Sequence, residues 1–569
     1  MIPILTLHHP ETARRYYAEG VWAEATLYTL LRGHARAQPE RFALRDGGRR
    51  LTYRQLLEWV EAVAAALHAA GVRPGERVAV WLPNRVEAVV VLLACARNGY
   101  ACNPSLHQNF TVAEILALLG RLRAAALFVQ PGYGADAERQ DIIQAARKLG
   151  FLKRVFRLAP WGDASGAAEG DDFPVPRDGA GSTEPGVMAG SNEPEPADAD
   201  TVFYLAFTSG TTGEPKGVMH SANTLLANAR AMVTDWKHDR DTVLLTFSPL
   251  SHHIAMVAIS QALVAGMELV VNAPPPGTAP LDWVMESGAT YVMGVPTHAI
   301  DLLAELKGRG LDRMGRVNLF YMAGSPIPIE TARAFLAIGV TPQNIYGMTE
   351  NSSHNFTRPG DDAETITATC GKPGKGYEIR IWEQENPDRE AAPGTIGEIG
   401  GRGGMLMLGY FGDQEGTERS FNAHGWFMSG DLGLIDDKGC LRIMGRKKDL
   451  IIRGGRNIHP AHIEDLALRH SGVQKAAAFG VPDARLGERI CLAVIPAAGA
   501  GPAAAEVLSH LHGAGLSKYD MPEFFISLPE FPLTASGKVL KRTLMEWAAS
   551  GRIEPEPVSR RPPGAEAEG

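Results

Sequence analysis

Thr208-Ser-Gly-Thr-Thr-Gly-Glu-Pro-Lys-Gly217 follows the apolar run Val202 to Phe207. The apolar run reads as a strand, and the residues after it as a loop crowded with glycines and hydroxyls. Glycine lets a backbone turn tightly and bring its N–H groups against an anion. The hydroxyls of Thr208, Ser209, Thr211 and Thr212 donate to phosphate oxygens, Gly210 and Gly213 supply the turns, and Lys216 adds positive charge. Holding a nucleotide triphosphate requires those features. The stretch is not a Walker A loop, because Gly210 to Lys216 does not fit G-x-x-x-x-G-K-[ST] and a glycine follows the lysine. A flexible turn has the same composition, so the rest of the chain decides.

Outward from this loop, strand and helix signals alternate. Residues 50–71 have apolar positions at helical spacing, Arg77 to Leu82 reads as a strand, and Val86 to Arg97 as a buried helix. The alternation continues through Ala124–Phe128, Asp141–Lys148, Thr242–Phe247, Glu268–Asn272, Trp283–Ser287 and Tyr291–Val295. It predicts an α/β fold of parallel-type sheets with crossover helices. Gly394 to Gly409 predicts a β region. Residues 160–200 carry almost no bulky apolar side chains and read as a solvated or disordered insertion. A chain of 569 residues exceeds the usual limit of one core. The expected domains are a large one over 1–447, a small mobile α+β one over 448–552, and a disordered tail over 553–569.

Net charge is −8, which leaves no electrostatic footprint for nucleic acid. No apolar run reaches the length of a membrane span. The five cysteines (Cys95, Cys102, Cys370, Cys440, Cys491) are scattered and odd in number, which points to reduced thiols and a cytoplasmic setting.

Further motifs follow the loop in order: Tyr346-Gly-Met-Thr-Glu350, Gly425-Trp-Phe-Met-Ser-Gly-Asp431, Gly445 to Pro460, and Pro532-Leu-Thr-Ala-Ser-Gly-Lys538. With the first loop they resemble the core motifs of the adenylate-forming (ANL) superfamily: acyl-CoA synthetases, peptide-synthetase adenylation domains and luciferases. The resemblance runs from about Leu51 to Arg542. It implies that a carboxylate attacks ATP to give acyl-AMP and pyrophosphate, and that coenzyme A then takes the acyl group.

Each motif meets part of that demand. Two anions must approach each other, so cations and positioning are needed. Glu350 is a hard oxygen ligand suited to Mg²⁺ bound jointly with phosphate, with Thr208 as a second oxygen donor. The resemblance assigns the nucleotide to 208–213 and Lys216, to Gly324-Ser325-Pro326, and to Tyr346, Gly347, Met348 and Thr349. It gives the ribose to Asp431 and Arg446. It implies that Lys538 reaches the reacting carboxylate and the α-phosphate, that Lys448 is a hinge, and that Gly454 and Gly455 line the pantetheine tunnel. The expected catalytic residues are Lys538, Glu350, Lys216 and Thr208. One departure is His462, where the pattern Pro-x-Glu-Ile-Glu has glutamate.

For the acid, His252 takes the position that gates the acyl pocket in relatives, with His253 and Ile254 beside it. Ser251 stands where an aromatic is frequent. Val295, Met348 and His354 complete the expected lining, which suits an apolar acid. Gly445–Glu464, Met322–Pro328 and Tyr291–His298 look most like medium-chain or alicyclic acid CoA ligases such as cyclohexanecarboxylate–CoA ligase. The expected enzyme therefore joins a medium-chain, alicyclic or aromatic acid to CoA, using ATP and Mg²⁺. A homodimer stays open as the assembly. Two alternatives also stay open: an acyl-AMP ligase serving a carrier protein, and a nucleotide-binding regulator without catalysis.

Overall fold

Where the sequence alternates strand and helix signals, the chain builds two sheets whose neighbouring strands run mostly parallel. The computed structural model describes residues 4–161, 172–176, 197–208, 215–324, 327–497, 501–533 and 539–558. Contacts divide the chain into two compact units, Met1–Glu378 with Gly401–Phe421, and Ile379–Gly400 with Asn422–Gly569. This division falls earlier than Lys448, because Ile379–Gly400 and the residues from Asn422 onward, which the sequence attached to the large domain, group with the later residues, while the expected β region Gly394–Gly409 is divided between the two units.

In the first unit, among the described residues, one six-stranded sheet has the spatial order Arg154–Arg157, Ala126–Val129, Arg77–Trp81, Ala101–Asn103, Val202–Thr208, Lys216–Ser221. Only the last strand is antiparallel to its neighbour, as the second arm of the hairpin that carries the glycine-rich loop. A nine-stranded sheet holds a parallel core in the order Thr341–Met348, Leu319–Met322, Tyr291–Gly294, Val243–Thr246, Glu268–Val271, Phe42–Arg45. Parallel sheets form this way only when both faces are covered. The helix Val86–Asn98 is buried at every residue, Cys95 included, and stops at Gly99 with φ 71°. Glycine is favoured there because the left-handed cap disfavours a Cβ. The helix His253–Ala265 is buried from Ala255 to Leu263. Thr52, Thr111 and Ser221 cap their helices by accepting the N–H three residues on, worth about 1 kcal/mol each.

In the second unit, Phe427–Ile435 and Leu441–Arg446 pair antiparallel. Further on, Gly487–Pro496 sends alternate side chains into two cores. Ile490, Leu492 and Val494 join one, while Cys491 and Ala493 join the other. A strand covered on both faces reads as a continuous apolar run, as this one does.

Two expectations need correction. Residues 553–558 are not a disordered tail. Ile553 and Val558 pack against the two cores, and Glu556–Pro557 pairs with the strand Phe524–Ser527. Within 160–200, Phe173 is buried against Trp59 and Phe128, and the Trp59 indole N–H donates to Pro174 O at 2.7 Å. Among the described residues of that stretch, Phe173 is therefore an anchored core side chain and not part of a solvated loop. No helix among the described residues is long and apolar enough to cross a membrane.

Candidate active site

In open α/β sheets, ligands bind beyond the carboxyl ends of parallel strands. Four adjacent strands of the nine-stranded sheet end in candidate residues. Val243–Thr246 leads to His252, Tyr291–Gly294 to Val295, Leu319–Met322 to Gly324, and Thr341–Met348 to Thr349 and Glu350. Register keeps these ends level, with Gly294 opposite Met322 and Met293 opposite Thr246. In the other sheet, Thr208 ends its strand directly opposite Lys216.

The motif Tyr346 to Glu350 turns sharply into the strand Ser352–Phe356. Gly347 is obligatory in that turn, since a Cβ there would lie 1.8 Å from Ser352 O. Ser352 itself has φ 55°, a left-handed conformation uncommon for a residue with a side chain. Tyr346 is buried, its ring edge-on to His354 at 5.1 Å.

Beyond this turn the structure adds a residue the sequence reading missed. The Tyr410 hydroxyl donates to Glu350 Oε1 at 3.0 Å, and Lys216 Nζ lies 4.4 Å from the centre of the same ring. Thr208, Lys216 and Glu350, remote in sequence, are thereby gathered into one neighbourhood. The expected β region stopped at Gly409, one residue short of Tyr410. The only signal was Tyr410-Phe-Gly412 at its end, which carries no distinctive spacing.

Beneath Glu350 lies a layer of buried histidines. His220 Nε2 meets Thr349 O at 2.7 Å, and Nδ1 lies 2.9 Å from Thr224 Oγ1. Because that carbonyl can only accept, Nε2 carries the hydrogen. His253 stacks on His220 at 5.3 Å, and its Nε2 is 2.9 Å from Ser352 Oγ. Burial pushes His220 down to about 4, and holds His253 well below the usual imidazole range. His354 is pushed down by burial to about 3, and its Nε2 has no partner among the described residues.

His252 and His253 part company, as side chains flanking a helix start do. His252 stacks on His107 at 4.4 Å, and His107 Nδ1 is 2.9 Å from Ser251 Oγ. Among the described residues no group of three or more His, Cys, Asp or Glu side chains could hold a metal ion.

In the second unit, Asp431 and Arg446 are cross-strand neighbours joined by an ion pair of 3.1 Å. Ser429 keeps the hydroxyl of its motif and donates it to Ile399 O at 2.7 Å. Lys448 lies in a short 3-10 turn, Lys447–Asp449, and burial lowers its pKa first, with Arg446 adding to the effect. Gly454 and Gly455 have φ of 56° and 81° and form the two-residue turn between Ile451–Arg453 and Arg456–Ile458. Positive φ at both positions matches the hairpin turn that favours paired glycines. Glu464 survives the departure at His462: it accepts from Ala478 N and pairs with Lys541, each at 2.7 Å. Ser209, Gly210, Thr211, Thr212, Gly213, Ser325, Pro326 and Lys538 lie outside the described residues.

Residues 31–411 match the AMP-binding enzyme family, and residues 462–538 its C-terminal domain. The chain belongs to the AMP-binding enzyme family. The medium-chain fatty-acid–CoA ligase of Escherichia coli is 29% identical over 545 residues, covering 94% of this chain and 93% of that one. The salicyl-AMP ligase / salicyl-S-ArCP synthetase of Mycobacterium tuberculosis is 31% identical over 554 residues, with the same coverage of 94% and 93%. Among solved structures, ATP-bound MatB from Rhodopseudomonas palustris superposes with a TM-score of 0.78 at 29% identity, covering 93% of this chain and all of that one. This AMP-binding enzyme is an acid–thiol ligase of the AMP-forming type.

The donor chemistry fits Mg²⁺. That ion takes one or two carboxylates together with substrate phosphates rather than an all-protein cage. Glu350, held by the Tyr410 hydroxyl beside Lys216, would supply such a carboxylate.

Proposed function

We propose that this ligase makes an acyl-CoA from a medium-chain, alicyclic or aromatic carboxylic acid through acyl-AMP, in a reaction dependent on Mg²⁺. The observation that carries the reading is the gathering of Thr208, Lys216 and Glu350 through Tyr410. A pair of opposite charges held this way suits a polyphosphate and its counter-ion. Thr208 and the loop after it hold the β- and γ-phosphates, Lys216 adds charge there, and Glu350 with Thr208 holds Mg²⁺. When bound, the ion screens the phosphates against the incoming carboxylate. We assign Asp431 and Arg446 to the ribose, Tyr346 to the adenine, and Lys538 to the reacting carboxylate and α-phosphate.

The acid lies among His252, Ile254, Val295 and Met348, whose apolar atoms match an acid with little polar decoration. Gly454 and Gly455 admit the pantetheine arm, and Lys448 is the pivot between the two half-reactions. CoA thiolate then attacks the acyl carbon, and AMP leaves. A carrier-protein thiol is the second reading, favoured by the likeness to the salicyl-AMP ligase.

Pyrophosphate release across short, medium and long fatty acids, cyclohexanecarboxylate and benzoate, with and without CoA, tests both. Turnover that needs CoA, with an optimum in the medium-chain or ring acids, supports the ligase. A stoichiometric burst that CoA does not relieve supports the carrier protein.

A further inference from the structure

We propose that Tyr410 is a positioning residue for the Mg²⁺·ATP end of the site, its hydroxyl setting the Glu350 carboxylate and its ring seating the Lys216 ammonium. The inference rests on the ligase reading above. Tyr410 is 5% exposed, and its two ends do different work. The hydroxyl donates to Glu350 Oε1 at 3.0 Å, while the ring face lies 4.4 Å from Lys216 Nζ. Glu350 and Lys216 are the groups of opposite charge that must meet a metal and a phosphate together. A direct ion pair between them would neutralise both. A phenol between them holds each and cancels neither.

The backbone around Tyr410 is fixed to the same two elements. Met407 N donates to Glu350 O at 2.6 Å, and Phe411 N to Gly217 O at 2.7 Å. Tyr410 itself bridges antiparallel to Val218. This short strap therefore indexes the Glu350 turn against the strand that begins at Lys216. A tyrosine kept only for packing would still need a partner for its buried hydroxyl, but not a carboxylate there together with an ammonium over its ring.

The test uses the full-length protein with Tyr410→Phe, which keeps the ring, and Tyr410→Leu, which removes it. Melting curves check folding. Binding of ATP is measured by calorimetry with Mg²⁺ titrated and with Mg²⁺ chelated, beside kcat and KM for pyrophosphate release. Tyr410→Phe is expected to raise the Mg²⁺ concentration for half-maximal ATP binding about tenfold, the scale of a hydrogen bond to a charged group, while metal-free ATP binding stays unchanged. Tyr410→Leu also weakens metal-free ATP binding roughly threefold, through the freed Lys216. In a Glu350→Gln background, Tyr410→Phe has no further effect on the Mg²⁺ requirement. Equal weakening of ATP with and without Mg²⁺ in Tyr410→Phe, or wild-type behaviour, overturns the proposal. Wild-type protein that binds Mg²⁺·ATP but releases no pyrophosphate with any acid overturns the ligase reading instead, and the binding series still decides the role of Tyr410. Absence of any ATP binding by the wild type overturns both.

Discussion

The imidazoles of His107 and His252 are stacked, 4.4 Å apart and 21° from parallel, and Ser251 bonds the first of them at 2.9 Å. That ring arrives from the segment after the strand Ala101–Asn103, and the serine hydroxyl holds it in place. Phe110 packs against that ring at 5.2 Å. His252 is thus braced by residues remote in sequence.

His107→Ala removes that brace. Aromatic pairs contribute about 0.5–1.5 kcal/mol, so KM for the carboxylic acid should rise about 2–10-fold while KM for ATP holds steady. Steady-state kinetics with each substrate varied in turn is the check. A matching rise for ATP would mean that the stack supports the fold and not the acid.

Stability should fall on acidification before the carboxylates titrate. His107, His220 and His354 are pushed down by burial to about 3, 4 and 3. For His107, the neighbouring His252 adds to the effect. Each is neutral in the fold and takes a proton near pH 6.5 once unfolded. The unfolded state therefore binds more protons below that value. Stability from these groups is complete above pH 6.5 and is lost as pH falls toward 4 for His220 and toward 3 for His107 and His354. His220 alone accounts for about 3 kcal/mol across that window. Urea midpoints at half-unit steps from pH 7.5 to 4.5 should decline, and a flat series would contradict the buried neutral assignment.

Gly347→Ala should fail at the hairpin. A Cβ would lie 1.8 Å from a backbone oxygen that cannot swing away. Forced overpacking costs about 1–3 kcal/mol, so a lowered melting temperature and near-complete loss of pyrophosphate release are expected. Wild-type melting with wild-type turnover would show that the turn is more plastic than its geometry.

Lys538→Ala should abolish adenylation yet leave CoA attack on pre-formed acyl-AMP largely intact. The two half-reactions are assayed separately, by pyrophosphate release and by AMP release from synthetic acyl-AMP. Equal loss in both would sink the assignment of Lys538 to the first step.

The parallel sheets were legible because burial on both faces leaves a local trace. Val202–Thr208, Val243–Thr246 and Tyr291–Gly294 are apolar runs bounded by turn residues, and each was found within a residue or two. The motif from Tyr346 to Glu350 stood out through its spacing, and the structure sets Glu350 against the Tyr410 hydroxyl. Tyr410 did not stand out, because its importance lies in two partners supplied by distant segments. Phe173 and Ile553–Val558 escaped for the same reason: composition averaged over a window hides a single anchoring side chain. The unit boundary also escaped, since which sheet a β segment joins is decided by tertiary pairing rather than by its own pattern.

The strap of residues 407–411 has a consequence for synthesis on the ribosome. It completes the hydrogen bonding of the strand that starts at Lys216, yet it is translated much later. At ordinary elongation rates roughly 10–40 s separate the two. Through that interval the strand carries an open edge of the kind that invites pairing with another chain. The first unit also closes only after the chain has left it at Glu378 and returned at Gly401. A fragment ending at Glu378 lacks the strap that covers the edge of the strand beginning at Lys216, so nascent chains stalled there should be far more dependent on chaperones than chains released beyond Phe421.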